Sequence, residues 1–267
     1  MKHNIILTLI IASLFAITFA GCKNKDDNSF NIFTIEDDIE LGKQLSDEIA
    51  ADPQTYPLLS KTQYPDAYTH LERIKNELLN AGNVFYKSAF EWEINIIEND
   101  TVLNAFSAPG GYIYVYTGII KYLDSEDQFA GVLAHEIAHA DRRHTTDQMT
   151  KTYGIQLMLD LVIGKKQELL SQIAQGLLSL KYSRNDETEA DTYSVTYLCP
   201  TDYNAAGSAG FFQKIDSSGA PQTPTFLSTH PNPENRITSI YEQKQSQSCT
   251  GVETYVSRYQ DFKNTLP

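Results

Sequence analysis

Apolar positions recur first with a helical period. Ile39, Leu41, Leu45 and Ile49 mark a stretch over residues 35–50 that opens with acids and runs into Asp52-Pro53, which predicts an amphipathic helix. Leu71, Ile74, Leu78 and Leu79 predict a second over 66–81, with Asp66 to cap it and Gly82 to stop it. The period then falls to two. Phe90, Trp92, Ile94 and Ile96 alternate with Glu91, Glu93 and Asn95, the pattern of a half-buried strand. Another short stretch, 102–106, leads to the turn Pro109-Gly110-Gly111, and the β-branched and aromatic run 112–117 predicts a further strand. Ser125 or Asp127 can cap the next helix, which carries Phe129, Val132, Leu133, Ile137 and Ala138. Residues 149–182 read as helix broken at Gly164 and Gly176. Helices over 187–198, closed by Cys199-Pro200, and over 204–215 follow. The Ser/Pro/Thr/Gly-rich stretch 217–233 predicts a long loop, and Pro233 opens a last helix to Tyr241. The Gln/Ser run 243–248 reads as a surface loop.

The first residues follow another pattern. Lys2 and His3 precede a 15-residue apolar run, 5–19, short for a membrane span, and Phe19-Ala20-Gly21-Cys22 follows. Small residues before a cysteine resemble a bacterial lipoprotein box; a plain secretion signal is the alternative. Cleavage would make Cys22 the lipidated first residue. The expected division is a signal peptide at 1–21, a polar tether at 22–34 and one folded domain at 35–267. Lys23, in place of an inner-membrane-retaining Asp, points to the outer membrane. Cys199 and Cys249 then remain for a disulfide in an oxidising compartment, or as two unpaired thiols.

Composition narrows the function. With 41% hydrophobic and 21% charged residues over 267 positions, the chain can bury a core, which excludes a fibre or wholesale disorder. Its net charge of −13 disfavours a grip on nucleic acid or charge-driven binding to anionic lipid.

His135-Glu136-Ile137-Ala138-His139 is an HExxH pentapeptide in a segment with its own reasons to be helical. The i, i+4 spacing puts both imidazoles on one face, where they can share a metal, and Glu136 stands beside them to take a proton from water. Two surface histidines are the alternative. Val132, Leu133, Ile137 and Ala138 argue for a buried helix, in which an unpaired His is costly. A catalytic zinc needs a third protein ligand and keeps a fourth position open. Asp141-Arg142-Arg143-His144 replaces the extension that would supply a third His, so the ligand is sought in Tyr182-Ser-Arg-Asn-Asp-Glu187-Thr-Glu-Ala-Asp191. Glu187 and Asp191 share a helix face and Glu189 does not. Glu187 is the candidate ligand, and Asp191 can accept the outer N–H of a ligating His. A solvated, acid-rich helix start is the alternative.

HEIAH followed by RRH, the later YSRNDETEAD, the preceding run Asn104-Ala-Phe-Ser-Ala-Pro-Gly-Gly-Tyr-Ile-Tyr-Val-Tyr-Thr-Gly118 and the run Ser228-Thr-His-Pro-Asn-Pro-Glu-Asn-Arg236 occur in order. Together they resemble the zinc metallopeptidases related to CAAX prenyl protease 1, HtpX and BepA, over about residues 65–240. The resemblance implies one Zn2+ per chain held by His135, His139 and Glu187, with Glu136 as catalytic base. Lacking multiple spans, the chain is similar to the soluble, exported BepA-like branch without its C-terminal helical repeats. In that branch the His of the Thr-His-Pro element sits near zinc and can take its open position. Here that residue is His230, which would make a self-inhibited peptidase; an exposed loop histidine is the alternative. Arg236 matches the Arg that follows, implied to order the loop or to donate to the oxyanion, with a surface salt bridge as the alternative.

The expected fold is α+β, a mostly helical zincin-like domain with a small mixed β-sheet. Stretches 105–108 and 112–116 are candidates for an edge where an extended peptide can add as a strand. The expected function is a zinc-dependent endopeptidase of the bacterial cell envelope, in quality control or processing. It would act on protein or peptide substrates such as misfolded envelope proteins, and would be held to the outer membrane by lipid. A zinc-bearing, chaperone-like binding lipoprotein is the main alternative, although binding alone would not need Glu136. A closed structural zinc site and hydrolysis of a non-peptide amide or ester are the others.

Overall fold

The computed structural model describes residues 33–81, 83–218, 225–232 and 234–267, so the expected signal peptide, Cys22 and nearly all of the expected tether lie outside the described residues. Ile35 to Pro267 form one unit. Its first helix, α1 (Ile35–Ala51), buries Leu41, Leu45 and Ile49. Gly42 faces the turn Pro109–Gly111 so closely that a Cβ there would meet the Pro109 carbonyl oxygen at 2.0 Å. Helix α2 (Pro65–Asn80) buries the predicted stripe of Leu71, Ile74, Leu78 and Leu79, with Pro65 rather than a side-chain cap at its start.

The sheet has strands β1 (Ile94–Ile97), β2 (Ala105–Ala108) and β3 (Tyr112–Tyr116) in the order β1-β3-β2. It is mixed: β1 runs parallel to β3 with Ile94 opposite Ile113, and β2 antiparallel with Ala108 opposite Tyr112. The predicted first strand is therefore shortened. Trp92 adopts φ 48°, which breaks the extended chain, while its ring and that of Phe90 still enter the core. The alternation reported which side chains are buried, not a ladder. All four residues of β1 are buried, so this strand has no wet face.

After α3 (Thr117–Tyr122), helix α4 (Glu126–Asp141) is buried at every position except Gln128. It packs between α8 (Arg184–Leu198) and α9 (Gly207–Ser218). The close approach to α9 depends on Gly131, where a Cβ would meet the Ser208 amide nitrogen at 2.3 Å. The predicted 149–182 helix is several pieces. These are α5 (His144–Tyr153), α6 (Ile155–Val162) and α7 (Leu170–Gly176), then a tight turn, Leu177–Ser179. Gly154 and Gly164, at φ 84° and 76°, make the breaks; Gly176 stays helical.

Helix α8 starts at Arg184, three residues earlier than the apolar pattern suggests. Ser183 accepts from the Asp186 amide and Asp186 accepts from the Ser183 amide, a reciprocal cap. The predicted loop 217–233 contains a short helix, α10 (Thr225–Thr229), and α11 (Arg236–Ser246) takes in the start of the Gln/Ser run. A final helix, α12 (Val256–Asn264), was not expected; it buries Tyr259 and Phe262 against α2 and α4. Cys199 and Cys249 are disulfide-bonded, with Cα atoms 4.7 Å apart. Among the described residues no helix is long and apolar enough to cross a membrane.

Candidate metal centre

Helix α4 presents His135, Glu136 and His139, α8 presents Glu187 and Asp191, and α10 delivers His230 just past its last residue. His135, His139, Glu187 and His230 each offer one ligand atom, all within 4.8 Å of one another. The Nε2 atoms of His135 and His139 are 3.0 Å apart. Glu187 Oε1 lies 3.3 Å from His139 Nε2 and 3.0 Å from His230 Nδ1. Glu187 Oε2 lies 3.5 Å from His135 Nε2. Ligands at tetrahedral corners ~2.0–2.1 Å from a zinc-sized ion stand roughly 3.3 Å from one another, so the spacing suits a single ion.

The hydrogen bonds behind the rings give a second reason. His135 Nδ1 is 3.0 Å from Asp191 Oδ1, and its proton belongs on that side. His135 Nε2 is then the nitrogen that faces the cluster, a ligand atom once it gives up its proton, and Glu187 adds a carboxylate there. Two imidazole nitrogens and a carboxylate oxygen converging in one buried space are the donor set that a zinc-sized cation takes. Glu136 sits beside the cluster, fully buried, with neither carboxylate oxygen hydrogen-bonded. His230 Nε2 is 3.5 Å from Glu136 Oε1.

Burial pushes the Glu136 carboxyl above the usual range, against the opposing pull of His230 and His135. Burial alone would lower His135, but hydrogen bonds and charge from Asp191 and Glu187 outweigh it and push the imidazole up to about 9. His139 goes the other way: burial holds it well below the ordinary histidine value. Burial would raise Glu187, but the three surrounding imidazoles hold its carboxyl well below the carboxylate range.

Arg236, the first residue of α11, is buried at the rim. Its Nη2 donates to Asp191 Oδ1 at 2.7 Å and lies 3.0 Å from Glu187 Oε2; its Nε stands 2.7 Å from Asp191 Oδ2. The guanidinium lies over the Phe212 ring at 3.9 Å. These contacts make it a brace for the two acids of α8 rather than a surface salt bridge. His230 is fully buried as well, stacked on Phe226 with centroids 4.1 Å apart. A histidine in a polar, Pro-rich stretch is thus a core side chain, because α10 folds it inward.

Tyr182, at the head of the acidic motif, also joins the site. Its ring stacks on His139 at 3.7 Å, and its hydroxyl shares hydrogen bonds with Thr145 Oγ1 at 2.9 Å and Ser107 Oγ at 3.3 Å. The Tyr182 amide donates to the Thr229 carbonyl, and the Phe226 amide donates to the Leu103 carbonyl just before β2. These links fasten the segment before α8 and helix α10 around β2 and over the cluster. His144 and Glu189 are further neighbours that sequence reasoning missed: His144 Nδ1 is 3.0 Å from His139 Nδ1. The RRH run after HEIAH was the only signal for His144, and Glu189 stood in the acidic motif off the face shared by Glu187 and Asp191.

The model of the family described as "Peptidase family M48" matches residues 65–244. The chain is 31% identical to mitochondrial metalloendopeptidase OMA1 of Schizosaccharomyces pombe over 161 residues, 58% of this chain and 47% of that protein. It is 30% identical over 159 residues to the putative beta-barrel assembly-enhancing protease of Vibrio cholerae, 54% of this chain and 33% of that protein. It is 28% identical over 148 residues to metalloprotease YcaL of Escherichia coli, 53% of this chain and 58% of that protein. The chain thus spans from a third to somewhat over half of the length of these curated relatives.

Proposed function

The chain belongs to peptidase family M48, and on that premise we propose that it is a zinc-dependent endopeptidase of the bacterial cell envelope. The observation that carries this is the convergence of two imidazoles and one carboxylate on a single point, with an unpartnered, buried carboxylate, Glu136, next to them. His135, His139 and Glu187 hold the zinc. When bound, it supplies Lewis-acid polarisation of a peptide carbonyl and acidification of water. Glu136 takes the proton of the attacking water and passes it to the departing amine. Asp191 fixes the His135 tautomer, and Arg236 holds Asp191 and Glu187 in place.

The substrates are proteins or peptides, including misfolded envelope proteins. Residues 1–21 are a signal peptide, Cys22 carries the lipid, residues 22–34 are the tether to the outer membrane and 35–267 are the catalytic domain. The relatives named as a beta-barrel assembly-enhancing protease and a metalloprotease support the envelope setting and the proteolysis. The resting enzyme is self-inhibited: His230 occupies the remaining ligand position, and the burial of His230 and Glu136 supports this.

The test is cleavage of an unfolded protein such as casein, with and without chelator, by the parent and Glu136→Gln at matched zinc content. Glu136→Gln should keep its zinc and lose roughly 10²–10⁴-fold in rate. Equal rates would sink the proposal, and loss of cleavage by the parent would favour the chaperone-like reading.

A further inference from the structure

The two histidines of α4 are held from behind in different ways. His135 backs directly onto a carboxylate, with Nδ1 3.0 Å from Asp191 Oδ1. His139 backs onto another imidazole, with Nδ1 3.0 Å from His144 Nδ1. Both rings of the second pair are buried, and the two nitrogens are close enough to share one hydrogen bond directly. The other nitrogen of His144, Nε2, has no hydrogen-bond partner and lies 3.5 Å from Glu189 Oε2. The second carboxylate oxygen of Glu189 accepts from Arg142 Nε.

Proton counting along this line allows one arrangement. If His139 turns the Nε2 lone pair to a metal, Nδ1 must carry the proton. His144 Nδ1 is then the acceptor, so its own proton sits on Nε2, the nitrogen that faces Glu189. Arg142 keeps the carboxylate turned to receive that proton, and its guanidinium is itself gripped by the Tyr193 ring at 4.5 Å.

We infer that His144 and Glu189 are positioning residues for the metal site: Glu189 sets the tautomer of His144, and His144 sets the tautomer and ring angle of His139. This rests on the reading of His139 as a zinc ligand. The pair reaches the metal only through His139 and touches no substrate. It also explains why a buried histidine lies at the start of α5, where Arg143, at φ 62°, turns the chain back toward α4.

The test is zinc affinity of the full chain, measured by competition with a chromogenic chelator. His144→Phe fills the same space without nitrogen, and His144→Gln can both accept and donate. The expected result is a Kd about 10–100-fold weaker for His144→Phe, with His144→Gln recovering most of the loss. Glu189→Ala should weaken binding in the same direction, with a thermal melt showing that the chain still folds. A merely structural role would give the reverse order, with Phe tolerated and Gln not. His139→Ala is the control. If it binds zinc as tightly as the parent, the metal reading itself falls and this inference with it. If His139→Ala loses zinc while His144→Phe and Glu189→Ala hold it like the parent, the metal reading stands and only the positioning pair is refuted.

Discussion

Asp191 stands between His135 and Arg236, accepting from the guanidinium at 2.7 Å and lying 3.0 Å from the imidazole. In the metal-free chain Asp191 and Glu187 keep His135 protonated up to about pH 9. A metal must displace that proton, so affinity rises with pH below that value and levels off above it. Between roughly pH 6 and 8 the Kd for zinc should tighten about tenfold per unit. Asp191→Asn should weaken binding at neutral pH and flatten this slope; chelator competition across the pH range measures both. A parent Kd that does not change with pH would contradict the assignment.

His230→Ala should raise basal peptide cleavage several-fold, including self-cleavage, without loss of zinc, because it removes the group proposed to fill the remaining ligand position. Arg236→Ala should lower turnover instead, since Asp191 and Glu187 lose their shared brace. Rates at equal zinc content, beside a Glu136→Gln control, decide both. A His230→Ala protein no faster than the parent would remove the self-inhibition.

Tyr182→Phe keeps the ring on His139 and loses the hydroxyl. Thr145 Oγ1 and Ser107 Oγ still pair with each other at 3.0 Å, so no buried partner is orphaned. The expected loss of stability is small, about 1 kcal/mol. Denaturant titration reads it, and a loss several times larger would mean that the hydroxyl holds more than this pair.

Glu126, at the start of α4, is buried between Arg73, Arg258 and Tyr203. Burial would raise its carboxyl, but these partners hold it below the usual range. Its contribution is therefore present above the unfolded carboxylate pKa of about 4.3 and lost as pH falls through the lower folded value. Glu126→Gln should cost about 3 kcal/mol near neutral pH, with the gap to the parent closing in acid. Thermal melts from pH 7 down to pH 3 test the sign.

Cys22 should be the first residue of the mature protein and carry acyl chains. Mass spectrometry of the isolated N-terminus checks this. An unmodified start at another residue would end the lipoprotein proposal.

The sequence showed what rests on local spacing. HExxH and the Glu187–Asp191 pair depend on a four-residue step along one helix, and counting thiols singled out Cys199 and Cys249. Long-range packing stayed hidden. Tyr182 and His144 reach His139 across folds of the chain that no period encodes, and the burial of His230 depends on Phe226 and α10 closing over it. Helix α12 escaped because its buried positions are only Tyr259 and Phe262, too few to set a period. The strand predicted from Phe90 failed because alternating burial and extended backbone part company at Trp92.

The bond between Cys199 and Cys249 closes a covalent ring that spans 50 positions of sequence, and His230 and Arg236 both lie within it. A single peptide-bond cut anywhere between the two cysteines opens the ring without dividing the molecule. After a cut between Cys199 and Arg236, the fragment bearing Glu187 and the fragment bearing Arg236 stay joined through sulfur. A chain clipped there by its own kind would run as one piece until reduced, and would keep every group of its metal centre within reach.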